Sequence, residues 1–246
     1  MKVVFLTDAH LGAEADSKQR ELEICQFLDT LKGNTDVLVL LGDMFDFWFS
    51  YKEVVPRGHV RILGKLAELT DSGIALHYFI GNHDMWIFDY LEKEIGAIMH
   101  DEPAVMTFGT HTFLIGHGDG LGHLDRKYDL LRHIFRSRTN HKLFQLLPSR
   151  LTFGIAHRWS HHSRNSHDEG NLRYLGDQQE GIVIWCKEQL KKQHIDYCVF
   201  GHRHTPVSKK IITDTGVESH YINVGDWLIH KNYAVYENGT MNLITL

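Results

Sequence analysis

The chain is poor in cysteine: Cys25, Cys186 and Cys198 stand singly, with no C-x-x-C pair. Each sits among apolar residues, and all three are expected as buried thiols of a reducing compartment. No segment approaches the roughly 20 apolar residues of a membrane span, and the apolar run after Lys2 is too short for a signal peptide, so a cytoplasmic protein is expected. There is no internal repeat, no low-complexity tract and no tag-like histidine run. Positive charge is in deficit too. With 26 Lys and Arg against 31 Asp and Glu the net charge is −5, which argues against general nucleic-acid binding.

What the sequence does hold is histidine, 19 residues in 246, and this excess points towards metal or phosphate chemistry. The basic residues are unevenly spread. Nine Lys or Arg lie between Arg126 and Arg164 against a single acid, Asp129, so the other 207 residues carry −13. With 43% hydrophobic and 23% charged residues, the composition suits one domain spanning 1–246, with room for an insertion.

Short β-rich runs recur at Lys2 to Thr7, Val37 to Leu41, Ala75 to Ile80, His111 to Ile115, Tyr197 to Phe200 and His220 to Val224. Most are continuous in hydrophobicity, which predicts strands covered on both faces. Helical patterns fall at Ser17 to Lys32, His59 to Leu69 and Gln178 to Gln193. In the first, Leu22, Cys25, Leu28 and Leu31 recur three apart, and Asp16 with Gln19 resembles a weak capping box. After Val207, antiparallel strands are expected, with turns at Asp214-Thr215-Gly216 and Glu237-Asn238-Gly239. Residues 121–166 break the rhythm. Bulky apolar residues at helical spacing among arginines predict a helical cap inserted there.

The strand ends carry the chemistry. The runs are followed in turn by Asp8-Ala9-His10, by Gly42-Asp43-Met44-Phe45-Asp46, by Gly81-Asn82-His83-Asp84, by Gly116-His117-Gly118-Asp119 and by Gly201-His202-Arg203-His204. In open α/β sheets ligands bind at the carboxyl edge of the strands. Imidazoles, carboxylates and one amide without a thiolate suit Mn²⁺, Fe²⁺, Zn²⁺ or Co²⁺, and the set is too rich for one ion. Two ions about 3.5–4 Å apart, sharing a carboxylate, would use it fully and would favour hydrolysis of a phosphate ester or anhydride.

These five blocks, in this order from Thr7 to Thr205, resemble the calcineurin-like metallophosphoesterases. The resemblance implies an α+β fold, a two-sheet β sandwich flanked by helices in four layers, αββα. It makes Asp8, His10, Asp43 and His204 the ligands of one metal and Asp43, Asn82, His117 and His202 those of the other, with Mn²⁺ ahead of Fe²⁺ or Zn²⁺. His83 would stabilise or protonate the leaving oxygen and Asp84 would orient it. Asp46 is expected to support the site from behind, Asp119 to be a turn residue, and His100, His111, His220 and His230 to be ordinary histidines.

The run Gly42 to Trp48, the His117-Gly118-Asp119 block with Asp125 and Tyr128 after it, and the length are similar to the UDP-2,3-diacylglucosamine diphosphatases of lipid A synthesis. That likeness implies hydrolysis at the α-phosphate to UMP and 2,3-diacylglucosamine 1-phosphate. Substrate contacts would come from Asn82, His83, His202, Asp125 and Tyr128, and from Ser163 and Arg164 at the end of the cap. It implies peripheral attachment to the inner membrane, and no protein partner is expected. One departure stands out: many of these diphosphatases carry arginine where this chain has His83. Arginine grips phosphate bidentately, whereas histidine can also give up a proton. A hydrolase of soluble substrates, such as a nucleotide pyrophosphatase or phosphodiesterase, therefore stays open, as does a non-catalytic module on the same fold.

Overall fold

Alternation within the strands divides the apolar side chains among three layers. In β1 (Lys2–Leu6), Val4 and Leu6 face one way while Val3 and Phe5 face the other. Both sets are fully buried, as the continuous hydrophobicity predicts for a strand with both faces covered. The computed structural model describes residues 1–13, 16–51, 53–122, 134–135, 137–146, 152, 154 and 173–246. Among these, β1 pairs in parallel with β2 (Val37–Leu40), β2 with β3 (Ala75–Phe79) and β3 with β4 (Ile98–His100). The antiparallel β10 (Asn232–Glu237) and β11 (Thr240–Thr245) complete a six-stranded sheet in the order β11-β10-β1-β2-β3-β4. A second sheet has the order β5-β6-β7-β9-β8, from Ala104–Phe108, His111–Ile115, Tyr197–Phe200, Glu218–Asn223 and Val207–Ile212. Within it β6, β7 and β9 run parallel.

The three apolar clusters follow from this stacking. Helices α1 (Ser17–Asp29) and α2 (Val60–Asp71) bury Ile24, Leu28, Ile62, Leu66 and Leu69 against Val4, Leu6, Leu38 and Leu40. Between the sheets, Val3, Phe5, Val39 and Phe79 meet Phe113, Ile115, Val199 and Ile222. On the far side, a helix at Gly181–Leu190 packs Ile182, Val183 and Cys186 on Leu114, Cys198 and Phe200. Helix, sheet, sheet, helix is the four-layer arrangement expected. The helix Arg138–Gln145, here α3, falls within the predicted cap, making Gly181–Leu190 α4. The rest of the predicted insertion, 121–166, lies largely outside the described residues.

Several local expectations differ from the structure. The buried stripe of α1 is Ile24, Phe27, Leu28 and Leu31, while Leu22 and Cys25 are only half-buried. A repeat of three drifts off one face because a helix turns every 3.6 residues. Cys25 is thus the one cysteine that is not fully buried. Asp16 does not cap α1 with its side chain: its backbone is already helical, and its carboxylate meets Arg20 Nη1 at 3.3 Å. Helix α4 begins three residues later than the pattern suggests, at Gly181, after a turn. Strands β4 and β5 were not anticipated; β4 spans three residues and β5 alternates in burial.

His59, at the start of α2, is buried with its ring 4.9 Å from Phe45 and 6.0 Å from Trp48. Burial pushes its imidazole down to about 4, against about 6.5 in an unfolded chain. Protons then favour the unfolded state between those values, so stability is whole above pH ~6.5 and falls by about 1.4 kcal/mol per unit on acidification towards pH 4. His59→Leu should flatten this limb. Urea unfolding at pH 7 and pH 4.5 is expected to show a smaller acid loss in the variant; equal losses would contradict a buried neutral imidazole.

Candidate metal centre

The polar residues sit where parallel strands stop. Asp8 and His10 follow β1, Asp43 follows β2, and Asn82 to Asp84 follow β3 in the first sheet. His117 follows β6, and His202 and His204 follow β7 in the second. The chain turns abruptly at these points. Asp8, His10, Asp43, His202 and His204 have φ between 42° and 68°, a left-handed region that ordinary residues enter at a cost of order 1–3 kcal/mol and that clusters at functional sites. Glycines allow the turns to close on one another. A Cβ at Gly81 would lie 2.2 Å from Asp43 Oδ1, and one at Gly201 would lie 2.0 Å from Thr7 Oγ1 and 2.6 Å from Asp8 Oδ2.

All seven predicted ligand side chains are brought together. His204 Nε2 is 3.2 Å from Asp8 Oδ1 and 3.4 Å from His10 Nε2. His10 Nε2 is 3.7 Å from Asp8 Oδ1 and 3.9 Å from Asp43 Oδ2. The same Asp43 oxygen lies 3.3 Å from His117 Nε2, which in turn is 3.1 Å from Asn82 Oδ1. Ligating atoms of Asp8, His10 and His204 form one group that could hold an ion, and those of Asp43, His117 and His202 form a second. Asp43 Oδ2 faces both.

The donor set fits divalent cations. Asp8 is fully buried, and its Oδ2 accepts from Thr7 Oγ1 at 2.5 Å and from the His202 amide at 2.9 Å. Its Oδ1 has no hydrogen-bond donor and faces the imidazoles. A buried anion with an unpaired oxygen is unfavourable unless a cation sits against it. His117 donates Nδ1–H to the Leu41 carbonyl at 2.7 Å, which leaves a lone pair on Nε2 directed inward, the tautomer a metal needs. Burial opposes ionisation of Asp8 and Asp43. Even so, His204 beside the first and His117 beside the second hold both below the usual carboxylate range. Burial likewise opposes protonation of His10 and His117, yet the carboxylates push both up to about 10. His202, buried and beside His117, is pushed down to about 3. Divalent cations would take the place of the protons on His10 and His117.

The family model for calcineurin-like phosphoesterases matches residues 1–206. The chain belongs to the calcineurin-like phosphoesterases. As a member of that family it is a metal-dependent hydrolase using divalent ions. Similar relatives match along nearly their whole length. UDP-2,3-diacylglucosamine hydrolase of Porphyromonas gingivalis is 34% identical, covering 98% of this chain and 96% of that one. The proteins of the same name from Aeromonas hydrophila and Edwardsiella ictaluri are 27% and 25% identical, covering 98% and 92% of their lengths and at least 99% of this chain.

One member of the phosphoesterase site differs from expectation. Asp84 does not orient His83. It is fully buried, and its oxygens accept from the Gly81 amide at 2.9 Å, the Met44 amide at 2.9 Å and the Tyr78 hydroxyl at 2.5 Å. It thereby ties the turn after β3 to the turn after β2, because a carboxylate two backbone amides can reach satisfies both turns at once. His83 is held instead by the Asp46 carbonyl, 3.0 Å from Nδ1, with the Asp46 carboxylate 3.7 Å away. Asp46 Oδ1 also lies 3.7 Å from His10 Nδ1, in keeping with the supporting role expected of it. Asp119 is buried. Asp125, Tyr128, Ser163 and Arg164 lie outside the described residues.

Tyr78 and Asp226 were missed. Tyr78 looks in sequence like any strand aromatic, and no spacing rule could single it out. Asp226 could have been found: Val224-Gly225-Asp226 follows β9, a strand parallel to β7, and repeats the apolar-run-then-polar rule.

The Gly81 contact yields a direct test. Gly81→Ala places a methyl where Asp43 Oδ1 stands; bound metal should fall below one ion per chain and turnover by at least about tenfold. Full metal occupancy in the variant would show that Asp43 can move aside without consequence.

Proposed function

We propose that this chain hydrolyses the diphosphate of UDP-2,3-diacylglucosamine, or a close acylated analogue, at the α-phosphate, giving UMP and 2,3-diacylglucosamine 1-phosphate in lipid A biosynthesis. The observation that carries the reading is the end-to-end match to a hydrolase of that name at 34% identity, in a chain where Asp43 Oδ2 lies 3.3 Å from His117 Nε2 in one candidate metal group and 3.9 Å from His10 Nε2 in another.

Asp8, His10, Asp43 and His204 would hold one ion and Asp43, Asn82, His117 and His202 the other, with Mn²⁺ the first candidate. Ions in such a pair lower the pKa of a water and neutralise charge on a phosphoryl group. The protein's own part is alignment. His83 lies beside the first group, its ring 4.7 Å from that of His10. With Nδ1 donating to the Asp46 carbonyl, Nε2 is the nitrogen that can meet a leaving oxygen. Burial lowers the affinity of His83 for a proton, with Asp43 working against it. A bound diphosphate would add negative charge and favour the protonated ring.

An aromatic cluster joins the turn after β3 to the cap: buried Phe49 and Trp86 meet the partly exposed Phe135 and Phe144, with Trp86 5.3 Å from Phe49 and 4.8 Å from Phe144, and the exposed edges of Phe135 and Phe144 suit an acylated substrate. Trp86 Nε1–H donates to the Phe135 carbonyl at 2.5 Å, so the cap residues in view are tied to the turn that bears His83. Helix α3 leaves Leu143 and Leu146 exposed, which suits peripheral contact with the inner membrane. No helix among the described residues is long and apolar enough to cross one. Asp125, Tyr128, Ser163 and Arg164 are proposed as further substrate contacts within the 121–166 cap.

Three measurements bear on this. With Mn²⁺ present, UDP-2,3-diacylglucosamine should be cleaved far faster than UDP-glucosamine; equal rates would favour a soluble-substrate pyrophosphatase. No hydrolysis of either, nor of an aryl phosphodiester, would favour a non-catalytic module. Asp43→Ala should abolish activity and metal binding. His83→Ala should lower turnover by roughly 10² to 10⁴ with both ions retained; metal loss in that variant would move His83 into the ligand set.

A further inference from the structure

In two imidazoles of this site Nε2 faces the metal groups while an oxygen lies towards Nδ1: the Leu41 carbonyl is hydrogen-bonded to that of His117, and the Asp46 carboxylate stands 3.7 Å from that of His10. For His204 the oxygen comes from outside the five motif blocks. Its Nδ1 lies 3.9 Å from Asp226 Oδ2, an electrostatic approach longer than a hydrogen bond.

Asp226 is built to hold that position. It is fully buried. Its Oδ1 accepts from the amides of Ile229 at 2.6 Å and His230 at 3.0 Å. Its carbonyl accepts from the Asn232 amide at 3.0 Å. These bonds fix the carboxylate plane: Oδ2 is hydrogen-bonded to His230 Nδ1 at 3.0 Å, and the same oxygen faces His204 Nδ1 from 3.9 Å. The next residue, Trp227, donates its amide to the Asp8 carbonyl at 3.1 Å. The turn after β9 is thereby locked to the turn that presents Asp8 and His10. A hydrogen bond to Asp8 and the approach to His204 thus bring this loop to the same metal group.

We infer that Asp226 is a positioning residue for His204: its buried negative charge facing Nδ1 keeps the proton on that nitrogen, fixes the imidazole as the tautomer whose Nε2 lone pair faces the metal, and so sets the affinity of the Asp8–His10–His204 group without touching ion or substrate. His230 is then a rim residue that steadies Asp226 rather than an ordinary surface histidine. The inference rests on the two-metal reading of the site. Carboxylates that back a ligating histidine in this way change metal affinity by 10- to 100-fold when removed.

Asp226→Asn separates this role from a merely structural one. Its amide oxygen can still accept from Ile229 and His230, keeping the loop, but its NH₂ presents a donor to His204 Nδ1. That favours the tautomer with a proton on Nε2. In calorimetric titration of the metal-stripped chain with Mn²⁺, the wild type should bind two ions. Asp226→Asn should bind one of them 10- to 100-fold more weakly and the other within about twofold, with an unchanged melting temperature before metal is added. Two unchanged affinities, or an equal loss at both sites, would overturn the inference, whereas a wild type that binds no Mn²⁺ would overturn the two-metal reading instead. A second measurement needs no variant. In the Zn²⁺-loaded wild type, NMR of labelled histidine should show a Nδ1–H proton on His204 that exchanges slowly with water; a rapidly exchanging or absent proton overturns the inference.

Discussion

Burial of the Asp43 carboxylate is the constraint on which the rest of this structure depends. Nearly inaccessible to water, it is met by the His83 amide at 2.8 Å on Oδ1 and by His117 and His10 on Oδ2. A buried charge costs several kcal/mol unless it is paired and hydrogen-bonded. The groups that compensate it arrive from β1, β3 and β6, two of them in one sheet and the third in the other. The sheets must therefore close at one edge with their glycine turns in contact, and left-handed backbone at five of the seven proposed ligands follows from that closure.

The apolar layers hold that edge together. Fully buried Phe5, stacked 6.2 Å from Phe113, spans the sandwich one turn away from Asp8 on one side and His117 on the other. Burying a side chain of this size is worth about 1.5–3 kcal/mol, and several such contacts offset the strain of the turns. Stability and function are thus divided between strand bodies and strand ends. The aromatic loop after β2 continues the apolar layer outward to α3, so the proposed lipid-facing surface is an extension of the core.

The carboxylates show how much chemistry can be assigned without coordinates. Asp8 and Asp43 stand at polar strand ends and were legible as candidate metal ligands. Asp84 was legible as placed but not as to what it holds, since a tetrapeptide lists neighbours along the chain, whereas Asp84 binds Met44 and Tyr78 across strands. Asp226 lies past the last motif block, and its relation to His204 exists only because β9 lies beside β7. Likewise the three-residue repeat in α1 and the apparent capping box at Asp16 are local patterns that tertiary packing of Ile24, Phe27 and Arg20 overrode.

The sequence by itself determined the strand bodies, the polar residues that end them, the family and the inventory of candidate ligands. Hydrophobic periodicity and the order of short motifs are one-dimensional properties, so they could be read directly. Tertiary structure alone decided which nitrogen of His10, His117 and His204 faces inward, that Asp46 rather than Asp84 backs His83, and that Asp226 lies near His204. Those are relations among side chains brought together by sheet pairing and burial, and distance along the chain does not encode them.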